Sequence, residues 1–266
     1  NGFTRFDILL DGQYSSWIKF ANSLRMRLAM RISAVDPDKA RAEFRKGLEN
    51  EFGVFEAEAE RVAVSTKSGF TNPLGEINKG WGEVFMNASM ESFLVGYDDP
   101  RISKYYTPAS GGSEGALFNI AGTYKGVRQG TGVTHKKYSD HSASTVAQNT
   151  DAILMTAAEI WFLRAEAALR GYISGDPGEY YKKGVETSFA QWGADNVSDY
   201  LASEKVPADY KDAFDAKFDV AAVSKVTPKW DNALSNEQKL EKIITQKWLA
   251  IYPEGCEAWT EQRRTG

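Results

Sequence analysis

The sequence predicts a mainly α fold, an α-solenoid of helix pairs interrupted by long irregular inserts. First, apolar residues recur every three or four positions in three blocks of the chain, at about 14–50, 151–193 and 235–262, which is the spacing of amphipathic helices. Second, the intervening stretches at about 63–150 and 194–234 lack long periodic runs, and the earlier one contains 12 of the 23 glycines. We therefore expect the blocks to be helix pairs and the stretches between them to be inserts.

The first block is expected to contain two helices. Asp36-Pro37 separates them, because proline is favoured in the first turn of a helix and cannot continue the preceding one. Ala40, Phe44 and Leu48 form the apolar face of the second helix. The buried stripe expected for the first helix comprises Trp17, Phe20, Ala21, Leu24, Leu28 and Ile32.

The second block is expected to begin a helix near Asp151, to end it at Gly171 and to start the next helix at Pro177. Glu166 and Arg170 stand four residues apart, in the order that favours an ion pair on a helix surface. The apolar stripe expected for this helix comprises Leu154, Ala157, Ala158, Trp161, Ala165 and Leu169.

The third block opens with a capping box. The side chain of Ser235 can accept a hydrogen bond from the amide three residues on, and Gln238 can bond back. Leu240, Ile244 and Trp248 then recur at helical spacing. Repeated helical hairpins of this size are typical of an α-solenoid of tetratricopeptide type, although the chain shows no strict period of about 34 residues.

Composition bounds the classes of function. The 266 residues are 42% hydrophobic, which is enough to bury a core, and we treat 1–266 as one domain. The formal net charge of −4, without a long Lys/Arg run, excludes the basic surface of a nucleic-acid-binding protein. The single cysteine, Cys256, excludes an intramolecular disulfide and a four-thiolate metal site. No apolar stretch approaches the ~18 residues of a membrane-spanning helix.

The two histidines, His135 and His141, stand six residues apart, a spacing that fits no helical metal pair. We interpret both as solvated loop residues. The sequence contains no Gly-rich phosphate loop, Gly-x-Ser-x-Gly elbow or run of metal ligands. It therefore predicts neither a metal nor a cofactor.

Four separated segments resemble signature segments of the SusD/RagB family, and they stand in that family's order. They are FANSLRMRLAMRIS at 20–33, NASMESFLVGYDDPR at 87–101, ILMTAAEIWFLRAEA at 153–167, and ITQKWLAIY with EAWTEQRR between 244 and 264. Together they extend over nearly the whole chain. The second segment is most similar to a SusD-like subgroup with an Asn-Ala-Ser-Met-Glu-Ser motif.

This resemblance implies tetratricopeptide-like helix pairs, four in the family, that carry an irregular ligand-binding region. It implies a protein without catalytic activity, lipid-anchored at the outer-leaflet surface of the cell outer membrane, which binds an oligosaccharide or, in some members, a peptide. Its partner would be a SusC-like TonB-dependent transporter. Family members carry more chain at both ends, including a lipidated cysteine, so we expect this sequence to be truncated and its membrane anchor to lie outside it.

Sugar binding requires an aromatic face for the C–H side of a pyranose ring and polar side chains for its hydroxyls. Trp81 and Tyr124 lie among Gly and Asn residues of the first insert, which favours exposed platforms. Trp230 in the second insert is a further candidate. The alternative for each ring is packing that anchors an insert to the helices. The expected polar companions are Asn72, Asn78, Asn119 and Arg128.

Other conspicuous residues have structural interpretations. In the second signature segment, Asn87 can cap the following helix. Arg101 can bond helix-end carbonyls or pair with Asp98 or Asp99. The tryptophans that fall on helical stripes, and are expected in the core, are Trp17, Trp161 and Trp248.

The leading hypothesis is a surface glycan-binding subunit of a nutrient uptake system. The alternative is a tetratricopeptide-type scaffold that binds a protein or peptide and no sugar. A third hypothesis, a glycoside hydrolase, requires two carboxylates that flank a cleft. The candidate pairs are Glu254 with Glu257 and Glu257 with Glu261. Both stand close to Arg263 and Arg264 in the sequence, which indicates an ion-pair network instead.

Overall fold

The computed structural model describes residues 2–132 and 138–266, and these form a mainly helical fold, as the sequence predicts. No helix in these two ranges combines the length and the hydropathy that a bilayer crossing requires. The described chain divides into two compact units. Unit 1 comprises the chain up to Ser68, Asp151–Gly193 and Trp230–Gly266, and unit 2 comprises Gly69–Thr150 and Ala194–Lys229.

The elements follow one another in a simple order. The helices are α1 (Tyr14–Arg31), α2 (Pro37–Leu48), α3 (Pro73–Gly75), α4 (Ala88–Gly96), α5 (Ile102–Tyr105), α6 (Ser113–Leu117), α7 (Ala157–Leu169), α8 (Pro177–Trp192), α9 (Val197–Ala202), α10 (Asn236–Ala250) and α11 (Gly255–Thr265). The strands are β1 (Arg61–Val64) and β2 (Ala152–Thr156). Short 3-10 turns lie at Thr66–Ser68 and Ala216–Phe218, and a π-helical turn lies at Glu76–Gly80.

The α1–α2 hairpin of unit 1 begins and ends where the sequence predicts. The side chain of Asp36 accepts a hydrogen bond from the amide of Lys39, and Pro37 occupies the first turn of α2. Ala40 and Phe44 on α2 are fully buried. The two helices approach so closely at Gly47 that a Cβ there would lie 2.8 Å from the carbonyl oxygen of Asn22.

The buried face of α1 differs from the predicted stripe. Leu28 is 56% exposed, whereas the residues that α1 buries are Asn22, Ser23, Met26, Ala29 and Met30. Asn22 donates to the carbonyl oxygen of Gly53 at 2.8 Å, and the hydroxyl of Ser23 accepts from the amide of Phe55 at 3.0 Å. Of the predicted stripe, Phe20, Leu24 and Ile32 are half-buried against the core. The stripe is wrong at Ala21 and Leu28, which are exposed, while Asn22 and Ser23 turn inward to satisfy backbone groups of the following loop.

The start of the second block also differs from the prediction. Residues 152–156 form strand β2, which pairs antiparallel with β1, so that Leu154 belongs to a strand and not to a helical stripe. Helix α7 begins only after Thr156, whose backbone is extended. The β-branched and long apolar residues of this segment fit a pleated strand as well as a helix, and pairing with β1 decides between them.

Helix α7 is the centre of unit 1. It packs against α1, α8 and α10, and both of its faces are largely buried. Its predicted ion pair is present, because Arg170 Nε lies 2.8 Å from Glu166 Oε1. The capping box predicted for α10 is also present, with Ser235 and Gln238 bonding in both directions.

A buried ion-pair network joins four helices of unit 1. Lys247 on α10 lies 3.1 Å from Glu257, 3.3 Å from Glu261 and 3.5 Å from Glu159. Arg264 lies 2.6 Å from Glu166 and 2.7 Å from Glu261. On α1, Arg27 contacts Glu159 at 2.5 Å and Arg31 contacts Glu257. Glu257 and Glu261 therefore belong to an ion-pair network, as their sequence context indicates.

Unit 2 is held together by irregular backbone pairing instead of long helices. The amide of Ser142 donates to Lys125, that of Met86 to Ser142, and that of Val127 to Met86, all between 2.7 and 2.9 Å. The predicted cap of α4 is present, with Asn87 accepting from the amide of Met90. The glycine-rich insert is therefore ordered where it is described.

The segment after α4 contains a buried charge pair. Arg101 is fully buried and bonds Asp99 through its Nη2 at 2.6 Å, while Asp98 pairs at the surface with Lys205. The guanidinium also lies 3.2 Å from the hydroxyl of Tyr200. Of the two partners that the sequence allowed for Arg101, the structure selects Asp99.

Candidate functional site

Trp81 is the most exposed of the aromatic rings proposed as platforms. It follows the π-helical turn Glu76–Gly80, and its amide donates to the carbonyl oxygen of Glu76 at 3.2 Å. Its side chain is 62% exposed. Gly82 next to it has φ +69°, a backbone conformation that glycine adopts without strain. A tryptophan exposed to this degree on an ordered turn presents a flat apolar face to solvent.

Asn72 and Asn78 support the turn that carries Trp81. Asn72 accepts from the amide of Leu74 and donates to the carbonyl oxygen of Thr150 at 3.0 Å. Asn78 donates to the carbonyl oxygens of two further residues, Ser144 and Val146, at 2.7 and 2.6 Å. Both asparagines are buried. Their amides therefore hold the turn in place and are not presented to solvent, in contrast to the ligand contacts expected for them.

Polar groups that the sequence did not single out lie on the turn that carries Trp81 or bond to it. Glu76 accepts a hydrogen bond from Gln148, and the Glu76 carboxylate lies over Gly80, where a Cβ would be only 2.6 Å from Oε1. Lys79 donates to the carbonyl oxygen of Ser144 at 3.2 Å. Gln148 is exposed and Glu76 is partly exposed. Both can therefore offer hydrogen bonds to a ligand that contacts this turn.

Tyr124 and Asn119 lie elsewhere in unit 2. Tyr124 is half-buried on an extended segment, and burial raises the pKa of its phenol. Asn119 is exposed in a turn with φ +56°. Its neighbour Phe118 packs edge-on against Phe214, with 4.3 Å between ring centroids. No described contact joins either residue to Trp81.

Trp230 belongs to unit 1 and packs on the start of α8. Its ring centroid lies 5.1 Å from that of Tyr181, and its Nε1 donates to Asn232 at 2.8 Å. A Cβ on Gly178 would lie 2.5 Å from the same nitrogen. The indole is partly exposed. These contacts fit the anchoring role that was the alternative for each ring.

Arg128 lines a cavity of about 250 Å³ in unit 2. Its Nη1 donates to the carbonyl oxygen of Phe218 at 3.2 Å. The cavity brings together the first turn of α4, the residues around Arg128, and the segment 220–223. Its other lining residues are Asn87, Ala88, Ser89, Ser92, Phe93, Gln129, Tyr210, Val220, Ala221 and Val223. Because they come from separated parts of the chain, no local sequence signal identifies them.

His141 is not the solvated residue that the sequence predicts. It is 3% exposed, and its ring centroid lies 4.8 Å from that of Tyr138 and 5.7 Å from that of Phe214. Burial lowers the pKa of its imidazole to about 4, so that it is neutral at pH 7. His135 lies outside the described residues. Within the described ranges, no group of three His, Cys, Asp or Glu side chains is arranged to hold a metal ion.

Comparisons with known proteins identify one family and several solved structures that are similar to this chain. The family model SusD-like, described as "Susd and RagB outer membrane lipoprotein", matches residues 1–266. A chitin-binding SusD homolog from Flavobacterium johnsoniae is 39% identical, with a TM-score of 0.91 over 98% of this chain and 53% of its own. A SusD homolog from Bacteroides vulgatus is 45% identical, with a TM-score of 0.89 over 98% of this chain and 53% of its own.

A SusD-like protein from Bacteroides thetaiotaomicron is 35% identical, with a TM-score of 0.91 over 99% of this chain and 54% of its own. This chain thus spans about half the length of the solved structures that it matches. No curated protein matches it. The family model and these identities together show that the chain belongs to the SusD-like family of SusD and RagB outer membrane lipoproteins, as its four sequence segments predict.

Proposed function

We propose that this chain is the glycan-binding part of a surface subunit that captures oligosaccharides for uptake and does not change them chemically. The observation that carries the proposal is the exposed indole of Trp81 on a turn fixed by two buried asparagines. Family membership supports it. The relative from Flavobacterium johnsoniae, 39% identical, is described as chitin-binding, which makes chito-oligosaccharides the first ligands to test.

The chemistry around Trp81 supports sugar capture. A pyranose ring presents axial C–H groups on one side, and these pack on an aromatic face, while its hydroxyls require hydrogen-bond donors and acceptors at the edge. Glu76, on the turn that carries Trp81, and Gln148, which donates to it, supply both kinds of group. Because the turn is already held by Asn72 and Asn78, little conformational entropy is lost when a sugar binds.

The proposal extends to the setting of the whole protein. We place it at the outer-leaflet surface of the outer membrane, held there by a lipid anchor, with a SusC-like TonB-dependent transporter as its partner. The family's description as an outer membrane lipoprotein supports this placement. We also infer that Glu257 and Glu261 are not the catalytic pair of a glycoside hydrolase, because both are buried and each is paired with basic groups.

Replacement of Trp81 by Ala tests the proposal. Isothermal titration against chito-oligosaccharides and a panel of neutral and acidic oligosaccharides should find a ligand for the unmodified chain. Trp81→Ala should weaken that binding by about tenfold or more, since an aromatic stacking contact contributes on the order of 1–3 kcal/mol. Trp259→Ala on α11 is a matched control, because Trp259 is 61% exposed in unit 1.

Equal loss of affinity in both variants, or no loss in either, would remove Trp81 from the site.

One observation favours the alternative of a protein- or peptide-binding scaffold. The α1–α2 hairpin leaves the apolar side chains of Leu28 and Val35 exposed, and a bound protein or peptide would cover them. Absence of any glycan ligand, together with retention of a peptide through these two residues, would favour that alternative.

A further inference from the structure

The cavity beside α4, lined in part by Arg128, differs in its chemistry from the platform at Trp81. One part of its lining is apolar and is formed by Phe93, Val220 and Val223. The other is polar and includes Ser89, Arg128 and Gln129. Its volume of about 250 Å³ is below the roughly 300–1,000 Å³ of pockets that enclose drug-sized ligands. The cavity therefore has room for a single sugar unit and has both apolar and polar lining residues.

Arg128 is the one charged residue among the described groups that line this cavity. Within the described chain it makes a single hydrogen bond, from Nη1 to the carbonyl oxygen of Phe218. That bond holds one edge of the guanidinium and leaves most of its N–H donors for another acceptor. No carboxylate is among the described lining residues, and Asp212 reaches the cavity only as the acceptor of the hydroxyl of Tyr210, so Arg128 is the charged side chain that an entering anion meets in the lining.

The other polar groups of the cavity are mostly engaged. The hydroxyl of Ser92 donates to the carbonyl oxygen of Ala208, and the hydroxyl of Tyr210 bonds Gly126 and Asp212. At the start of α4, the amides of Ala88 and Met90 already donate to other groups. Recognition of an anion therefore falls to Arg128, with Ser89 and Gln129 as neighbours.

From this arrangement we propose that the cavity is a saccharide subsite, separate from the Trp81 platform, that takes a sugar bearing a carboxylate and binds that carboxylate through Arg128. The inference rests on the proposed function, that the chain binds glycans, and it names an acidic class of substrate. A carboxylate is planar and carries two acceptor oxygens, which match the fork of a guanidinium. The apolar lining residues Phe93, Val220 and Val223 are then available to the C–H groups of the same ring.

Matched ligand pairs test the subsite. The chain is titrated with oligosaccharides of glucuronate, galacturonate and mannuronate and, separately, with their carboxyl-reduced counterparts. The two members of each pair have the same length and linkage, but the reduced member has no charge. For at least one series, we expect the acidic member to bind about tenfold or more tightly than the neutral member, since a hydrogen bond to a charged group contributes that much. The preference should decrease with added salt, because Arg128 is partly exposed.

Substitutions at Arg128 and Gln129 test whether the preference for acidic oligosaccharides arises at this cavity. Arg128→Gln removes the charge and should bring the acidic and neutral members to equal affinity, while Arg128→Lys should retain part of the difference. Gln129→Glu places a carboxylate at the cavity without touching Arg128, and should abolish or reverse the preference. Since Gln129 is exposed, this variant is expected to fold as the parent does, which circular dichroism checks.

The outcomes separate this inference from the proposed function. If neutral oligosaccharides bind as well as acidic ones and binding still depends on Trp81, the subsite is wrong and the proposed function stands. A preference for acidic sugars that persists unchanged in Arg128→Gln also overturns the subsite, as does a preference for sulfated over carboxylated sugars. If no member of the panel binds, both proposals fail together.

Discussion

His141 is buried, although the sequence analysis interprets it as a solvated loop residue. A histidine among polar residues is usually solvated, but this one lies between the rings of Tyr138 and Phe214. Neither ring nitrogen has a hydrogen-bond partner in the part of the chain that is described. Burial lowers the pKa of the imidazole most, the positive charge of Lys125 lowers it further, and Asp212 and Asp140 act in the opposite direction. In the folded chain, the imidazole of His141 is therefore uncharged at neutral pH.

This burial makes stability depend on pH. An unfolded chain takes up a proton on this imidazole below about pH 6.5, whereas the folded chain does so only near pH 4. The free energy of unfolding should therefore decrease as pH falls from about 6.5 toward 4, by roughly 2–3 kcal/mol from this residue. His141→Phe keeps an aromatic ring and removes the titration. Urea unfolding at several pH values should show a shallower dependence for the variant; parallel curves would contradict the assignment.

The candidate site was predictable at some residues and not at others. Trp81 was identified because an indole flanked by glycines has little chain around it to cover it, and it is exposed. Asn72 and Asn78 come from the same polar segment, yet they are buried supports, because loop carbonyls without secondary-structure partners require donors. The walls of the cavity at Arg128 join residues from separated segments, so only the fold reveals them.

Helix ends were the most predictable feature at the scale of elements. The Asp36-Pro37 start of α2, the Asn87 cap of α4 and the capping box of α10 are local hydrogen-bonding arrangements that need no tertiary context. The buried side of α1 needed such context. Apolar residues lie around most of that helix, so periodicity does not select one face, and contacts with the loop at Gly53 and Phe55 decide it.

The α7–α8 pair depends on one glycine. A Cβ on Gly184 would lie 2.7 Å from the ring of Phe162, which is itself fully buried. Gly184→Ala should therefore destabilise the chain by about 1–2 kcal/mol, because overpacking outweighs the roughly 1 kcal/mol of helix propensity that alanine adds. Gly255→Ala on α11 is the matched control, since nothing lies within 4 Å of its added methyl. Thermal unfolding of both variants compares them; an unchanged melting temperature for Gly184→Ala would contradict the close packing.

At the scale of the whole molecule, unit 1 is a single unit built from the early, middle and late parts of the chain. Its buried ion-pair network joins α1, α7, α10 and α11, so residues more than 200 positions apart, such as Arg31 and Glu257, are in direct contact. Three of the four family-like segments supply its members, and the second segment does not. The sequence resemblance in these three segments thus corresponds to one shared set of buried charges.

Glu261 tests how much this network contributes. Burial alone would raise the pKa of its carboxyl, but Lys247, Arg264 and Arg31 outweigh burial and lower that pKa to about 2. Its stabilisation is fully present above the unfolded pKa of about 4.3, and is lost as pH falls toward 2. Glu261→Gln should therefore lower the free energy of unfolding at pH 7 by roughly 3 kcal/mol, since it leaves buried cations less well compensated.

The difference between the parent chain and Glu261→Gln should shrink as pH falls from about 5 toward 2, because the parent carboxylate is then protonated as well. Urea unfolding at pH 7, 4 and 3 measures it. Glu186→Gln on the exposed side of α8 is the matched control and should change stability by no more than about 0.5 kcal/mol at any of these pH values. A deficit for Glu261→Gln that is the same at pH 7 and pH 3 would mean that side-chain packing, and not charge, accounts for the role of this residue.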